Sequence, residues 1–447
     1  MESRVTSQAE SPERDTRLWH PFANMGEVRG SEFVITRGED VWVWDDRDRR
    51  YYDATASLWY ANVGHGRKEI ADAIADQLGR LEAYSIFNDL TNPPAKQLAE
   101  RLSELAPVED ARVFLTSGGG DSVDTAAKLA RQYWHAVGES ERVHLISRTS
   151  GYHGTHGFGT SLAGMQGNRE GWGPLHPHVS VIQHDSLEAL EREIEVIGAD
   201  HVAAFFCEPV IGAGGVHPPP PGYLEGVAEI CRRTGVLLVV DSVICAFGRL
   251  GTWFGIERWG VEPDMITFAK GVSSGYLPLG GVIVSGRVAE PFWGRPDAPV
   301  LRHGQTYSGH PTCCAAALAN LDILERENLI VRGRELEGEL RTALEPLADH
   351  PLVAEVRAGV GLLAAVELDP GAIADSGVTP MKVFKQVREH GVIVRPLGSS
   401  IAISPPLTAE AEHFPLIAAA IAGGLDELGD GAGSERYAPA PTGRTES

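Results

Sequence analysis

The sequence predicts an α/β fold, with a large domain built on a mostly parallel sheet and a smaller α+β domain after it. Two observations carry this prediction. Between residues 111 and 269, strand-like runs that are apolar throughout alternate with amphipathic helical patterns, as in a parallel sheet that helices cover on both faces. After residue 330, shorter helix and strand patterns follow without this regular alternation. The length of 447 residues and the hydrophobic content of 43% are ample for several domains.

The N-terminal segment, residues 1–60, is predicted to be part of the small domain. Residues 1–17 are polar and are predicted to be disordered. Residues 33–54 alternate apolar and polar positions around the turn-forming stretches RGED and DDRD, which predicts a β-meander. From about residue 66 the pattern becomes helical, with apolar side chains at Ile70, Ile74, Leu78 and Leu81.

The large domain is assigned to residues 61–328. Its predicted strands are ARVFLT, RVHLIS, HVAAFFCEP, VLLVVDS and MITFA. Its predicted helices cover residues 121–137, 186–197 and 222–234, and a further long helix runs through CCAAALANLDILERE.

The C-terminal small domain is assigned to residues 329–428. Its pattern predicts a helix, the strand GLLAAVEL, the helix TPMKVFKQVREHG, the strands VIVRP and IAISP, and a last helix over residues 409–427. Residues 429–447 are rich in glycine, proline and serine, which predicts a disordered tail.

Composition argues against several classes of protein. The net charge of -22 disfavours a nucleic-acid partner, because phosphate binding needs a basic surface. The N-terminus lacks the apolar region of a signal peptide, and no apolar run reaches the roughly 18 residues of a membrane span. The five cysteines form no CxxC pair, so we predict neither a zinc site nor a redox site, and no bound metal. We also predict a cytoplasmic protein. Cys313 and Cys314 lie in an apolar helical pattern and are predicted to be core residues.

Two glycine-bearing loops follow predicted strands, at the edge of the sheet where ligands bind in open α/β folds. Ser117, Gly118, Gly119 and Gly120 lead from VFLT directly into a helix. Such a loop is either a phosphate cradle at a helix N-terminus or a tight strand-to-helix turn. After HLIS, the pair Tyr152-His153 lies between glycines, where an aromatic ring projects into a cavity or the loop covers the surface.

Two charged residues stand at the ends of apolar strands. Asp241 follows LLVV; it either caps a helix or holds a cationic ring nitrogen. Lys270 follows ITFA; it either reaches the surface or serves as a nucleophile with a lowered pKa. The other five lysines lie in patterns of solvated helix faces: Lys68, Lys96, Lys128, Lys382 and Lys385.

Together these four features match the requirements of pyridoxal 5'-phosphate (PLP). A lysine forms a Schiff base with the aldehyde, and a carboxylate keeps the pyridine nitrogen protonated so that the ring accepts electrons. An aromatic side chain stacks on the ring, and a glycine-rich backbone holds the phosphate. All four features follow strands of one predicted sheet.

The sequence resembles the class III (ω-) aminotransferases of PLP fold type I, and its motifs are most similar to those of amine and ω-amino acid:pyruvate aminotransferases. The resemblance runs from about LWHPF at residue 18 to SPPL at residue 404. It rests on the combination of LWYANVGHGR, GYHG, EPVIGAGG, DSVICAFGRLG, TFAKGVSSGYLPLGG and TYSGHP. It implies a mostly parallel sheet of the seven-stranded type and a homodimer or higher homo-oligomer.

The resemblance also implies a role for each matching residue. Lys270 matches the Schiff-base lysine that moves the proton, and Asp241 matches the partner of the pyridine nitrogen. Tyr152 and Val243 match the residues on the two ring faces, and Gly119 with Gly120 matches the phosphate-binding pair of the family's SGSE loop. Glu208 matches a glutamate near the phenolic side of the cofactor, and Thr306 matches a threonine that reaches the phosphate of the neighbouring subunit. Trp59 matches a tryptophan that lines the substrate pocket, and Arg395 matches an arginine that pairs with a substrate carboxylate. Trp59, Tyr60 and Tyr152 together indicate an aromatic-lined substrate site.

Three positions depart from the family pattern. Ser242 replaces a glutamate of the usual DEV, and the loop SGGGDS lacks a hydroxyl of SGSEA and has Asp121 at the glutamate position. Ile244 stands where many members have glutamine, which favours pyruvate over 2-oxoglutarate as acceptor.

The expected function is PLP-dependent transfer of an amino group from an amine or ω-amino acid to a keto acid, with ping-pong kinetics. Two alternatives share the cofactor: a biotin-pathway-like (diaminopelargonate-type) aminotransferase and an aminomutase. A non-catalytic PLP-binding regulator is disfavoured because no DNA-binding helix-turn-helix or basic patch is visible in residues 1–60. A dinucleotide-binding dehydrogenase is disfavoured because the first strand-to-helix turn lacks GxGxxG.

Overall fold

The structure is a computed structural model that describes residues 16–434. Its N-terminal part contains the strands β1 Ile35–Glu39, β2 Trp42–Asp45 and β3 Arg50–Asp53 and the helices α1 Met25–Val28, α2 Ala56–Trp59, α3 Lys68–Arg80 and α4 Pro93–Leu105. The three strands pair antiparallel in chain order, so the predicted β-meander is confirmed. The apolar stripe of α3 is narrower than predicted, because Leu78 is 51% exposed. Helix α4 was not predicted.

The large sheet has seven strands in the order β4-β10-β9-β8-β7-β5-β6. They are β4 Arg112–Thr116, β5 His144–Arg148, β6 Val179–Ile182, β7 Val202–Cys207, β8 Leu237–Asp241, β9 Met265–Phe268 and β10 Gly280–Val284. Six run in one direction and β10 runs against them. The helices of this part are α5 Gly119–Ala136, α6 Gly157–Leu162, α7 Leu187–Ile197, α8 Tyr223–Thr234, α9 Gly286–Trp293 and α10 Pro311–Arg326. The mostly parallel sheet is thus confirmed, while β6 and β10 were missed.

The central strands are buried along their whole length, as their largely apolar sequences predict. Every residue of β7, β8, β9 and β10 is buried. Helices therefore cover both faces of the sheet, and the polar groups at its strand ends are the ones free to meet a ligand. Cys313 and Cys314 are buried on α10, as predicted.

The C-terminal part contains the helices α11 Leu329–Glu335, α12 Glu337–Leu344, α13 Pro370–Ser376, α14 Pro380–Glu389 and α15 Phe414–Ser434 and the strands β11 Val353–Arg357, β12 Ala364–Leu368, β13 Val392–Ile393, β14 Arg395–Leu397 and β15 Ser400–Ile403. Four strands form an antiparallel sheet in the order β11-β12-β15-β14. The last helix differs from its prediction, since it begins at Phe414 and continues to Ser434 through part of the predicted tail. Residues 435–447 lie outside the described residues.

The N-terminal and C-terminal parts of the chain share one sheet. Strand β13 pairs parallel with β3, with Val392 opposite Tyr52 and Ile393 opposite Asp53. This pairing agrees with placing the N-terminal segment beside the small domain, although the domain boundaries themselves stay a prediction. Among the helices that the structure describes, none has the length and apolar content needed to span a bilayer.

A fully buried arginine ties three parts of the chain together. Arg249 donates hydrogen bonds to the backbone oxygens of Leu362 at 3.1 Å and Pro405 at 2.5 Å and to Asn62 Oδ1 at 2.9 Å. Burial lowers the pKa of Arg249 to about 9. Because the loop after β8 carries Arg249, this contact fixes the active-site edge of the large sheet against the N-terminal and C-terminal parts.

Candidate active site

The carboxyl ends of five large-sheet strands open onto one cavity of about 470 Å³. Residues that follow β4, β5, β7, β8 and β9 line it. The sequence placed its candidate residues at four of these strand ends, and the structure brings all four groups together. The following cavity-lining residues were predicted: Ser117, Gly118, Gly119, Gly120, Tyr152, His153, Glu208, Asp241, Val243, Lys270 and Tyr60.

Lys270 presents a partly exposed amine to this cavity. It follows β9 with a backbone φ of 50°, a left-handed conformation that few non-glycine residues adopt. Burial lowers the pKa of Lys270, while the negative charges of Asp241 and Glu208 oppose this shift. Within the described part of the chain its Nζ has no hydrogen-bond or ion-pair partner, whereas the other five lysines lie on exposed surface. A lowered pKa keeps more of the amine neutral, which is its nucleophilic form.

Asp241 is buried at the end of β8 and held by three hydrogen bonds. Its Oδ1 accepts from Thr267 Oγ1 at 3.0 Å and from the backbone N–H of Val243 at 3.2 Å. Its Oδ2 lies 2.8 Å from His153 Nδ1. These contacts fix the direction of a carboxylate that still lines the cavity. The helix-cap alternative for Asp241 is thereby disfavoured, since no helix of the described structure begins there.

Sequence reasoning placed His153 near the cofactor but missed its contact with Asp241, and it missed Thr267 entirely. His153 is 2% exposed and belongs to the loop after β5, a long way from Asp241 in sequence. Thr267 was detectable in one respect: it is a polar residue inside the otherwise apolar strand MITF. Both residues are polar groups whose partner lies on another strand, which periodicity does not reveal.

Glu208 connects two loops at the same edge. Its Oε1 accepts from the backbone N–H of Tyr152 at 3.1 Å and its Oε2 accepts from that of Gly212 at 2.9 Å. Burial raises the pKa of Glu208, and burial also raises the pKa of Tyr152. Glu208 therefore positions the loop that carries Tyr152 at the cavity wall.

The glycine loop before α5 comes close to other backbone and side chains. A Cβ atom built on Gly119 would lie 2.9 Å from Val243 Cγ1, and one built on Gly154 would lie 2.8 Å from the Cα of Gly120. The free N–H groups of the α5 N-terminus and this close approach suit an anion such as a phosphate. Gly118 is additionally fixed by Ser122, whose Oγ donates to its carbonyl oxygen at 2.8 Å.

The remaining candidate residues lie around the cavity and not on its wall. Trp59 is 3% exposed and packs in an apolar cluster with Ile244, and Ile244 itself lines the cavity. Arg395 lies on β14, and its charge acts on both Tyr152 and Lys270. Thr306 is exposed in the segment between α9 and α10, away from the cavity of its own chain.

Comparison with known proteins decides the family. The protein-family model for class-III aminotransferases matches residues 25–423. The chain belongs to the class-III aminotransferases. Members of this family depend on PLP, so the aminotransferase is a PLP-dependent enzyme of fold type I.

The aminotransferase is similar to two enzymes of Pseudomonas aeruginosa. It is 38% identical to a putrescine–pyruvate aminotransferase over 84% of this chain and 86% of the relative. It is 37% identical to a β-alanine–pyruvate aminotransferase over 92% of this chain and 95% of the relative. Its fold is similar to the solved PLP-bound structure of an amine transaminase from an uncultivated Pseudomonas species, with a TM-score of 0.87 and 36% identity over 93% of this chain and 99% of that one.

The residues of the cavity fit PLP. When bound, PLP supplies an aldehyde that bonds amines and a protonated ring that accepts electrons. The cavity offers a neutral-leaning amine at Lys270, a fixed carboxylate at Asp241 and an anion cradle at Gly118–Gly120. Each group of the cofactor thus has a complementary group on the protein.

Proposed function

We propose that this aminotransferase moves the amino group of a primary amine or ω-amino acid to pyruvate, with Lys270 as the residue that bonds the cofactor and moves the proton. One observation carries the proposal: Lys270 has a lowered pKa and a free amine in the same cavity as the fixed carboxylate of Asp241. Pyruvate as acceptor is supported by the names of both relatives and by Ile244 at the cavity wall.

Lys270 and Asp241 would divide the chemistry between them. The Lys270 amine would be the nucleophile that bonds the cofactor's aldehyde, and when free it would be the base that takes a proton from the substrate carbon and gives it back. Asp241 would hold a proton on the ring nitrogen of the cofactor, and its hydrogen bonds with His153 and Thr267 fix the direction of the carboxylate for that task. Transfer to the keto acid repeats these steps in reverse, which gives ping-pong kinetics.

The surrounding residues would position the ring and its phosphate. Tyr152 and Val243 line the cavity and would cover the two ring faces, and Glu208 holds the backbone of Tyr152 in place. The segment Ser117–Gly120 offers backbone N–H groups to the phosphate.

The substrate side of the cavity would be aromatic with one cation nearby. Tyr60 lines the cavity, and Trp59 supports Ile244 from behind. Arg395 has no hydrogen-bond or ion-pair partner among the described residues, and its guanidinium is suited to a substrate carboxylate. This arrangement accepts apolar amines, ω-amino acids and keto acids in one pocket.

The enzyme would act as a homodimer or higher homo-oligomer. Phe87 and Tyr307 are 47% and 65% exposed, and they lie on two segments that are packed together, since Asn92 Nδ2 donates to the Gly309 oxygen at 2.9 Å. Large exposed apolar side chains on one surface are typical of a protein interface. Thr306 is exposed beside Tyr307, where a neighbouring chain's phosphate site would receive it.

A cytoplasmic location is part of the proposal. All five cysteines are free and buried, which suits a reducing compartment. The net charge of -22 supports small-molecule substrates over a nucleic-acid partner.

The experiment that tests the proposal compares the wild-type enzyme with Lys270→Ala in the two half-reactions. Putrescine, β-alanine and a monoamine serve as donors, and pyruvate and 2-oxoglutarate serve as acceptors. We expect the wild type to release a carbonyl product from the donor alone and to pass the amino group to pyruvate at least tenfold faster than to 2-oxoglutarate. Lys270→Ala should lose both half-reactions, because it lacks the amine that moves the proton.

Lys385→Ala is the matched control, since Lys385 is exposed on α14 and should retain full activity. Turnover by Lys270→Ala, or a borohydride-reduced enzyme that carries no pyridoxyl label on the Lys270 peptide, would refute the lysine assignment. Conversion of a single substrate to its isomer without any acceptor would indicate an aminomutase. Efficient amination of the precursor of a diamino acid, with no activity on simple amines, would instead support the diaminopelargonate-type alternative.

A further inference from the structure

The phosphate cradle of this enzyme lacks a side-chain hydroxyl that the family motif leads one to expect. Gly120 is the second glycine of the pair that matches the SGSE loop, so the chain offers only backbone there. Loss of a phosphate donor in a buried site costs affinity unless another group replaces it. A neighbouring group in the space above Gly120 could be such a replacement.

His156 occupies that space. A Cβ atom built on Gly120 would lie 2.8 Å from His156 Nδ1 and 3.0 Å from its Cε1. A side chain at position 120 would therefore require the imidazole of His156 to move from this place. Gly154 keeps the loop that carries His156 close to the cradle, since its own Cβ would lie 2.8 Å from the Gly120 Cα.

His156 is also the cavity-lining side chain that can carry a positive charge and has no other role so far. Within the described part of the chain, the lining side chains able to carry positive charge are Lys270, His153 and His156. Lys270 is needed at the aldehyde, and His153 is bonded to Asp241 at 2.8 Å. His156 Nδ1 lies 3.5 Å from Asp121 Oδ1, and no described protein group bonds its Nε2.

Asp121 gives the imidazole a further task. Its carboxylate lies in the first turn of α5, beside the place where the phosphate would bind, and two anions at that distance repel each other. An imidazole between them, with its Nδ1 3.5 Å from Asp121 Oδ1, would separate the two anions and could face both. Asp121 thereby orients His156 as a carboxylate orients a histidine in other anion and metal sites.

We propose that His156 hydrogen-bonds the phosphate of PLP in place of the missing side-chain hydroxyl at position 120, with Asp121 as the residue that orients it. This inference rests on the proposed placement of PLP in the cavity. It assigns to the loop after β5 a second function beyond covering the ring with Tyr152, namely charge complementarity at the phosphate end.

The test separates the phosphate from the rest of the cofactor. Full-length apoenzyme is titrated in phosphate-free buffer with PLP and with pyridoxal, which lacks the phosphate, and binding is followed by absorbance and tryptophan fluorescence. His156→Ala should weaken PLP binding by about 10- to 100-fold, the range expected when a charge-assisted hydrogen bond is lost. Pyridoxal binding should change by less than about twofold, because it never contacts His156.

A second variant asks whether the two positions replace each other. Gly120→Ser alone should weaken PLP binding, because the new Cβ collides with the imidazole. The double variant Gly120→Ser with His156→Ala should bind PLP within about threefold of wild type, since the space is vacated and a hydroxyl supplied. His135→Ala, on the exposed far end of α5, is the matched control and should match the wild type.

Equal loss of PLP and pyridoxal affinity in His156→Ala would show a structural role only, and unchanged affinity for both would show no role; either result overturns the proposal. No gain in the double variant over the two single variants would also contradict it. Failure of the proposed function looks different, because wild-type enzyme would then carry no pyridoxyl label at Lys270 after borohydride reduction.

Discussion

At the scale of single residues, Arg395 combines partial burial with the absence of a partner among the described residues. Its guanidinium bonds no described residue, and burial lowers its pKa although it stays cationic at neutral pH. A partly buried cation without a counter-charge loses some of its hydration, so a ligand that supplies a carboxylate is favoured at this position. The proposed keto-acid acceptor is such a ligand.

We therefore expect Arg395→Ala to raise the KM for pyruvate and for β-alanine by roughly 10- to 100-fold, because a charge-assisted hydrogen bond to the carboxylate is lost. The donor half-reaction with an amine that lacks a carboxylate should change by less than about threefold. Stopped-flow measurement of the separate half-reactions provides both values.

Arg192→Ala, on the exposed face of α7, controls for the loss of one positive charge. Equal effects of Arg395→Ala on carboxylate and non-carboxylate substrates would remove Arg395 from the substrate site.

Residue-scale chemistry was predictable where the signal is local. Lys270 stood out because an ammonium directly follows an apolar strand, and the structure shows the cavity that this arrangement serves. The contact between His153 and Asp241 was not predictable, because it joins two loops through the fold. The same holds for His156, whose place above Gly120 is evident only from coordinates.

At the scale of elements, the turn from β4 into α5 carries the proposed phosphate cradle. Gly119 is required by space and not by an unusual backbone angle, since a Cβ there would meet both methyl carbons of Val243, at 2.9 Å and 3.2 Å. Val243 in turn is proposed to cover one face of the ring. A larger residue at position 119 would therefore displace Val243 and, through it, the cofactor ring.

Gly119→Ala should weaken PLP binding by roughly tenfold, because overpacking of this kind costs about 1–3 kcal/mol. The measurement is a PLP titration of apoenzyme, accompanied by thermal unfolding of both apo forms. Gly79→Ala is the control, since nothing lies within 4 Å of a Cβ at that helical position. Unchanged PLP affinity in Gly119→Ala would show that Val243 moves aside without consequence for the ring.

Element-scale prediction succeeded where burial is uniform and failed where direction matters. The strands β7 and β8 were predictable from sequence because both faces are covered and every position except the last, Asp241, is apolar. Strand β10, with the sequence GGVIV, is equally buried but runs antiparallel, and an apolar run contains no information on direction. The predicted apolar stripe of α3 was too long for a similar reason. Leu78 fits the helical spacing of the apolar residues, but its side chain is exposed.

At the scale of the whole molecule, the proposed assembly completes the site. Thr306 lies outside its own cavity, on the surface that also exposes Phe87 and Tyr307. If Thr306 serves the neighbour, an inactive subunit still supplies a functional threonine. This property allows a complementation experiment.

Co-expression of Lys270→Ala and Thr306→Ala chains with different tags should give mixed dimers with one intact site, because the Lys270→Ala chain supplies its Thr306 to the site of the Thr306→Ala chain, which keeps its own Lys270. We expect purified mixed dimers to regain about half of the wild-type PLP binding and activity. Each parental homodimer should remain defective, Lys270→Ala completely and Thr306→Ala by about tenfold in PLP affinity.

A mixed dimer no more active than expected from its Thr306→Ala subunits alone would place Thr306 in its own site or in none. Size-exclusion chromatography with light scattering serves as the control for assembly. A monomeric wild type would contradict the proposed oligomer directly.

The pairing of β3 with β13 has a consequence for how the enzyme is made. Tyr52 and Asp53 acquire their strand neighbour only when residues 392 and 393 have left the ribosome. At about 5–20 residues per second, the start of the chain waits for roughly 20 to 70 s after its own synthesis. During that interval the edge of β3 is open to other chains, so a nascent polypeptide stalled before residue 392 would already contain Lys270 and still be an aggregation hazard.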